Sequence, residues 1–211
     1  MKKNITEYRI DYKMNMLSEN ELDKNPNKQF KLWFEEVCKS DIIEPNAMIL
    51  STIDSNNYPN SRVVLLKGIE KNGLVFYSNY NSSKGKELEL NSNAYLLFYW
   101  PNLERQVRIR GNINKISPKL SDKYFFSRPK KSQISAIISE QSKKINDKNI
   151  LKYRIKEIEK NNITIKRPSY WGGYKLKPNY YEFWQGRPSR LHDRFVYEKK
   201  LNKWNIHRLQ P

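Results

Sequence analysis

Residues 105–116 constrain this chain more than any other stretch. Val107, Ile109, Gly111 and Ile113 alternate with Arg108, Arg110 and Asn112, the period-2 pattern of a strand with one buried face and one wet face. Such a strand needs neighbours, because an isolated strand or hairpin is barely stable in water. The sequence supplies them. Residues 47–54 and 61–69 flank the turn Ser55-Asn56-Asn57-Tyr58-Pro59, Lys71-Asn72-Gly73 leads into 74–79, and 94–100 precedes the opening strand. The last third returns to strands at 180–185, 194–199 and 203–208, the final two joined around Asn202.

Helices fall between these strands. Asn25-Pro26 pairs an N-cap with proline at the first helical position, and Phe30, Trp33, Phe34 and Val37 follow at i, i+3, i+4 and i+7. Ser82 caps a short helix through Leu90, Ser117-Pro118 starts another, and further helical runs cover 131–141 and 147–161. Hairpins with helices inserted between them predict an α+β fold, an antiparallel barrel with peripheral helices. Residues 1–25 read as a polar arm, and 26–211 as a single domain with no Gly/Ser/Pro linker inside it.

Composition limits the function classes. A net charge of +18 attracts polyanions, yet the basic residues are spread along the whole chain, and no specific nucleic-acid role is expected. A single-stranded nucleic-acid barrel needs exposed aromatics along a basic groove; here the aromatics alternate into strands or sit on helix faces. No apolar run approaches the about 20 residues of a membrane span, and no apolar signal segment follows the basic start. The single cysteine, Cys38, excludes an internal disulfide, so a cytoplasmic setting is expected. Two histidines and one cysteine are too few for an ordinary His/Cys metal site. Glycine-rich dinucleotide fingerprints, P-loops and serine elbows are absent.

The remaining chemistry is cationic and hydroxyl-bearing. Arg62 and Lys67 bracket one strand, but their odd separation puts them on opposite faces, so serving one pocket requires a bend, or else two ligands along the strand. Tyr77-Ser78 ends the next strand, Ser82-Ser83-Lys84 sits at a helix start suited to phosphate, and Arg128 and Ser132 flank another helix start. For each cluster alone, solvated surface charge competes with the functional reading. Near the C-terminus, 181–195 forms a strand–loop–strand able to hold Trp184, Arg190, His192 and Arg194 around a planar anionic ligand. An incidental hairpin is its alternative.

Several stretches together carry a resemblance: Arg62-Val63-Val64-Leu65-Leu66-Lys67, Phe76-Tyr77-Ser78-Asn79, Leu103-Glu104-Arg105-Gln106-Val107, Tyr124-Phe125-Phe126-Ser127-Arg128-Pro129, Ser132-Gln133-Ile134, Gln141-Ser142, Tyr170-Trp171-Gly172-Gly173, Phe183-Trp184-Gln185-Gly186 and Arg190-Leu191-His192-Asp193-Arg194. In order and spacing these resemble the pyridoxine/pyridoxamine 5′-phosphate oxidase family over nearly the whole chain. The resemblance implies a split β-barrel homodimer with FMN at the subunit interface, oxidising pyridoxine or pyridoxamine 5′-phosphate to pyridoxal 5′-phosphate with O2 and releasing peroxide. It implies FMN contacts from Arg62, Val63, Val64, Leu65, Leu66 and Lys67, from Tyr77, Ser78 and Lys84, and from Gln106, Gln141, Ser142, Trp184 and Arg194. Ser83 belongs to the same set but stands where the family commonly has arginine. The substrate phosphate is assigned to Lys67, Tyr124, Arg128 and Ser132. Arg190, Leu191 and His192 are placed at the pyridine ring, with Arg190 and His192 as the catalytic pair. Arg9 and Tyr12 belong to the arm segment that covers the site. A split-barrel flavoprotein acting on another substrate is the nearest alternative.

Overall fold

The computed structural model describes residues 4–160, 164–201 and 203–211. In chain order the elements are α1 (Pro26–Val37), β1 (Ala47–Ile53), β2 (Pro59–Leu65), β3 (Gly68–Glu70), β4 (Gly73–Asn79), α2 (Ser83–Leu90), β5 (Asn93–Trp100), β6 (Arg105–Lys115), α3 (Pro118–Ser127), α4 (Lys130–Ile138), α5 (Asn149–Lys160), β7 (Trp171–Gln185), β8 (Asp193–Lys200) and β9 (Lys203–Leu209). The expected α+β class is what forms. The chain separates into two compact units, Met1–Leu50 with Tyr95–Gly111 and Pro178–Pro211, and Ser51–Ala94 with Asn112–Lys177.

In the first unit Asn25 caps α1 by accepting the Asn27 N–H, with Pro26 at the first position. Burial follows the aromatic spacing: Phe30, Trp33 and Val37 are buried. Phe30 meets Phe98 at 4.9 Å between ring centres, and Phe183 meets Trp33 edge-on at 5.2 Å. Cys38 follows the helix and is exposed. The β6 alternation predicts its own burial correctly, with Val107 and Ile109 inside and Arg110 outside. β7, β8 and β9 run antiparallel, with Phe183 opposite Phe195 and Trp184 opposite Arg194. The arm is tied down by its backbone: the Lys13 and Met14 N–H groups donate to the Glu104 carboxylate at 3.3 and 3.0 Å, and Leu17 is buried.

In the second unit the start of β7 pairs antiparallel with β4, and β4 with β3. Ser82 and Ser117 cap α2 and α3 as expected. A core of Phe125, Ala136 and Trp171, with Tyr77, Tyr124 and Tyr170 packed against it, supports the helices.

Two strand expectations need correction. The single strand over 61–69 is divided: β2 ends at Leu65 and β3 begins at Gly68, with the Lys67 N–H donating to the Val75 carbonyl at 2.8 Å across the break. Residues 180–185 are only the end of the 15-residue β7, which begins at Trp171. Pro178 and Gly172-Gly173 argue against a strand from sequence. At Gly173 a Cβ would lie 2.3 Å from Ile116 Cδ1 and 2.8 Å from Tyr77 Cε1, so a larger residue there would force those side chains to shift. The helix expected over 131–141 stops at Ile138. The joint at Asn202 and residue 161 of the 147–161 helix lie outside the described residues. Among the described residues, no helix is long and apolar enough to cross a membrane and no acidic, His and Cys cluster suits a metal.

Candidate active site

The break after β2 creates the main cleft of the second unit. Uninterrupted alternation would turn Arg62 and Lys67 to opposite faces; with the strand ended at Leu65, both line one cavity. Its volume is about 590 Å³, within the usual range of small-molecule sites. Val63, Val64 and Leu65 line it beside them, as do Tyr77, Ser78, Ser83, Lys84, Tyr124, Arg128, Gln141 and Ser142. Thirteen separate sequence expectations thus converge on one wall. Leu66 is instead buried behind it, and Ser132 contributes its carbonyl, which accepts from Arg128 Nη2 at 2.9 Å.

The cavity is electropositive, and its cations are held in different ways. Arg62 donates to Thr52 and to the buried Glu87, the latter at 2.9 Å. Glu87 also accepts from Thr52 and from Asn60 at 2.8 Å. Burial alone pushes the Glu87 carboxyl up, but the hydrogen bonds from Thr52 and Asn60 and the Arg62 charge outweigh it and hold the group below the usual range. Lys84 stands in the first turn of α2 and donates to Ser82 Oγ at 3.2 Å. Desolvation, and then the Arg62 charge, lower its pKa, while Glu87 opposes them. Arg128 is different. Its guanidinium lies 4.5 Å over the Trp171 ring, yet Nη1 is buried with no hydrogen-bond partner. A buried unpaired N–H costs about 1–3 kcal/mol or more when charged, and an oxyanion in the cavity would satisfy it.

Ser142 adopts φ 73° at the cavity wall, and Ser78 Oγ donates to Gln141 Oε1 at 3.4 Å. A flat ring system carrying a phosphate suits these donors: Lys84 and Ser83 at a helix N-terminus for one anion, Arg128 with its unpartnered Nη1 for another, and Tyr77 stacked on Tyr124 at 3.7 Å beside them.

The first unit holds a second cleft of about 580 Å³, lined by Arg9, Tyr12, Trp184, Arg190 and His192 among others. Tyr12 sets its ring edge against Trp184 at 5.7 Å and against His192 at 5.6 Å. Gly186 permits that arm contact, since a Cβ there would lie 2.7 Å from Tyr12 Cγ. The Arg187 N–H donates to His192 Nδ1 at 3.1 Å, so a neutral His192 carries its proton on Nε2. Desolvation and then the Arg190 charge lower the His192 pKa, with Asp193 pulling the other way. Ser189 and Arg190 both take left-handed φ, 54° and 61°, a conformation costing roughly 1–3 kcal/mol per residue and concentrated at functional loops. Asp193 ties this loop down, accepting from the Leu17 N–H at 3.1 Å and from Arg208 at 2.6 Å. Leu191 is 69% exposed and lies outside this cleft.

Arg194 is already engaged. Its Nε and Nη2 fork onto the buried Glu182 at 3.1 and 2.8 Å, and Arg108 reaches the same carboxylate at 3.0 Å. Gln106 sits half-buried on β6.

Sequence reasoning missed Trp171, Asn60, Ser61 and Asn79 in the main cavity, and Thr52 and Glu87 behind Arg62. Thr52 had a signal: it is a hydroxyl at an inward position of β1, in line with the buried Met48 and Leu50. Glu87 lies one helical turn beyond Lys84, a spacing that places the two on neighbouring faces.

Comparison with known proteins identifies the family. The family model described as pyridoxamine 5′-phosphate oxidase matches residues 34–162, and that of the pyridoxine 5′-phosphate oxidase C-terminal dimerisation region matches 171–211. A pyridoxine/pyridoxamine 5′-phosphate oxidase of Trichormus variabilis is 47% identical over the full length of both chains. One from Legionella pneumophila is 46% identical, covering 99% of this chain and 98% of its own. Among solved structures, PhzG of Burkholderia lata, in complex with tetrahydrophenazine-1-carboxylic acid, superposes with a TM-score of 0.89 at 29% identity over 94% of this chain and 99% of its own. A family model over most of the chain and full-length relatives at 46–47% identity lead to one conclusion: the chain belongs to the pyridoxamine 5′-phosphate oxidase family.

Proposed function

We propose that the protein is an FMN-dependent oxidase converting pyridoxine 5′-phosphate and pyridoxamine 5′-phosphate to pyridoxal 5′-phosphate, the reaction of a pyridoxamine-phosphate oxidase in vitamin B6 metabolism. The observation that carries this reading is Arg128, which lines a cavity shared with Lys67 and Tyr124 and whose buried Nη1 has no hydrogen-bond partner. A phosphate there gains charge-assisted bonds from groups that otherwise stay desolvated and unpaired. Lys67, Tyr124 and Arg128, with Ser132 behind, anchor the substrate phosphate, so remote binding energy orients the carbon to be oxidised.

The cofactor is FMN, held by the 62–67 wall, Tyr77, Ser78, Lys84, Gln141 and Ser142. When bound, it accepts the hydride equivalent and passes electrons to O2, giving peroxide. Arg190 orients the pyridine ring and His192 offers Nε2 for polar or proton-transfer contact. The active form is a homodimer with FMN at its interface, where Gln106, Trp184 and Arg194 complete the site. Residues 26–211 act as one domain in the cytoplasm, and the arm, through Arg9 and Tyr12, covers bound substrate.

The test is Arg128→Ala. Loss of a charge-assisted contact worth about 3–4 kcal/mol should raise KM for pyridoxine 5′-phosphate by roughly two to three decades. An unchanged KM removes the phosphate from this cavity. It would favour a different ring substrate, as in the PhzG complex.

A further inference from the structure

Trp171 lies in the main cavity without an assigned role, although its contacts are specific. The residue is 7% exposed, and its ring is nearly parallel to Tyr124, with ring centres 6.2 Å apart and 4° between planes. It is also nearly parallel to Tyr77, at 5.8 Å and 15°. Arg128 packs its guanidinium on this indole at 4.5 Å. The backbone of Trp171 is fixed too: its carbonyl accepts from Arg167 at 2.6 Å, and Arg167 pairs with Asp122 at 2.6 Å.

A guanidinium on a long side chain has many rotamers, and each must be given up when it grips an anion. Here two of its contacts are set in advance. The indole face supports the plane of the cation, and the Ser132 carbonyl takes Nη2. The group left over is Nη1, buried and unpartnered, in the wall that also carries Lys67 and Tyr124. Tyr124 ties the same platform to Tyr77, on which it stacks at 3.7 Å.

We propose that Trp171 is a positioning residue for phosphate selectivity: it holds Arg128 so that Nη1 presents itself to the substrate's phosphate and to no internal acceptor. This rests on the phosphate reading of Arg128 given above. Trp171 acts through Arg128 and takes no part in the redox step.

The experiment compares Trp171→Leu, Trp171→Phe and Arg128→Gln in the FMN-loaded protein. KM and kcat are measured for pyridoxine 5′-phosphate, and dissociation constants for pyridoxal 5′-phosphate and for pyridoxal. Removing the cation–π support in a desolvated site should raise KM for the phosphate ester about tenfold in Trp171→Leu. The expectation is that kcat and bound FMN stay unchanged, that Trp171→Phe recovers part of the loss, and that pyridoxal, which lacks the phosphate, binds all forms alike. The double variant Trp171→Leu/Arg128→Gln should be no worse than Arg128→Gln alone, since both changes remove one function. Equal weakening toward pyridoxal, or additive losses in the double variant, would overturn the proposal. If Arg128→Gln itself leaves KM unchanged, the phosphate reading falls first, and that result is distinct from a failure of Trp171 alone.

Discussion

Replacing Glu87 by glutamine isolates the charge arrangement beneath the main cavity. Glu87 is 8% exposed at its side chain and Arg62 19%. The carboxylate accepts from Arg62 at 2.9 Å, from Asn60 at 2.8 Å and from Thr52. Glutamine keeps the size and one acceptor oxygen but deletes the charge, leaving Arg62 and the desolvated Lys84 without their shared anion. Removing one partner of a buried pair costs about 3–5 kcal/mol. Because Arg62 keeps some access to water, a smaller cost, about 2–3 kcal/mol, is expected. At 2–4 °C per kcal/mol for a chain of this size, Tm should fall by roughly 4–12 °C.

The pH dependence gives the sharper signature. The folded carboxyl is held below its ordinary value, so its contribution is fully present above about pH 4.3 and is lost as pH falls through the folded pKa. Circular-dichroism melts of flavin-free protein from pH 3 to 8, without phosphate, should show the full Tm difference between wild type and Glu87→Gln near pH 7. The difference should shrink at the acid end. A difference of the same size at every pH, or none at neutral pH, would rule out the Glu87 charge as the source of the stabilisation.

Further outcomes follow from the same geometry. Arg190→Ala should lower turnover far more than FMN content; equal loss of both would deny Arg190 its role at the substrate ring. Ser83 lines the cavity at the start of α2, so Ser83→Arg should tighten FMN binding by roughly tenfold in fluorescence titration, an added charge-assisted contact being worth somewhat more than 1.4 kcal/mol; unchanged affinity would show that no cation is missing there. The folded His192 pKa is lowered, so its stabilising contribution is present above about pH 6.5 and is lost as pH falls through the folded value. NMR titration should give His192 a midpoint below 6.5, and His192→Gln should flatten the acid slope of stability between those values; a midpoint at or above 6.5 would contradict the burial of His192 and the nearby Arg190 charge.

Local rules made most of the fold legible. Asn25, Ser82 and Ser117 cap the helices they were expected to cap, because capping is settled within four residues. The β6 alternation declared its buried face for the same reason. β7 was legible only in part, since its first half is set by a partner: Gly173 is there to let Ile116 approach, a tertiary fact with no local period. Within the cavity, the motif residues were readable as cations and hydroxyls, and the parity of Arg62 and Lys67 left either a bend between them or two ligands along the strand. What bends the chain, and what holds Arg62 once bent, was not readable. Glu87 and Thr52 are distant in sequence from Arg62 and meet it only after β1, β2 and α2 pack. Trp171 stayed hidden because an aromatic beside two glycines looks the same in a core and in a cavity wall.

The most direct test of the functional account is a visible spectrum of the FMN-loaded protein before and after pyridoxine 5′-phosphate is added without oxygen. An FMN-dependent oxidase of this substrate shows a flavin band that bleaches on substrate and returns in air, with one peroxide released for each pyridoxal 5′-phosphate formed. A flavin band indifferent to the substrate, or a protein that takes up no FMN, would contradict that function.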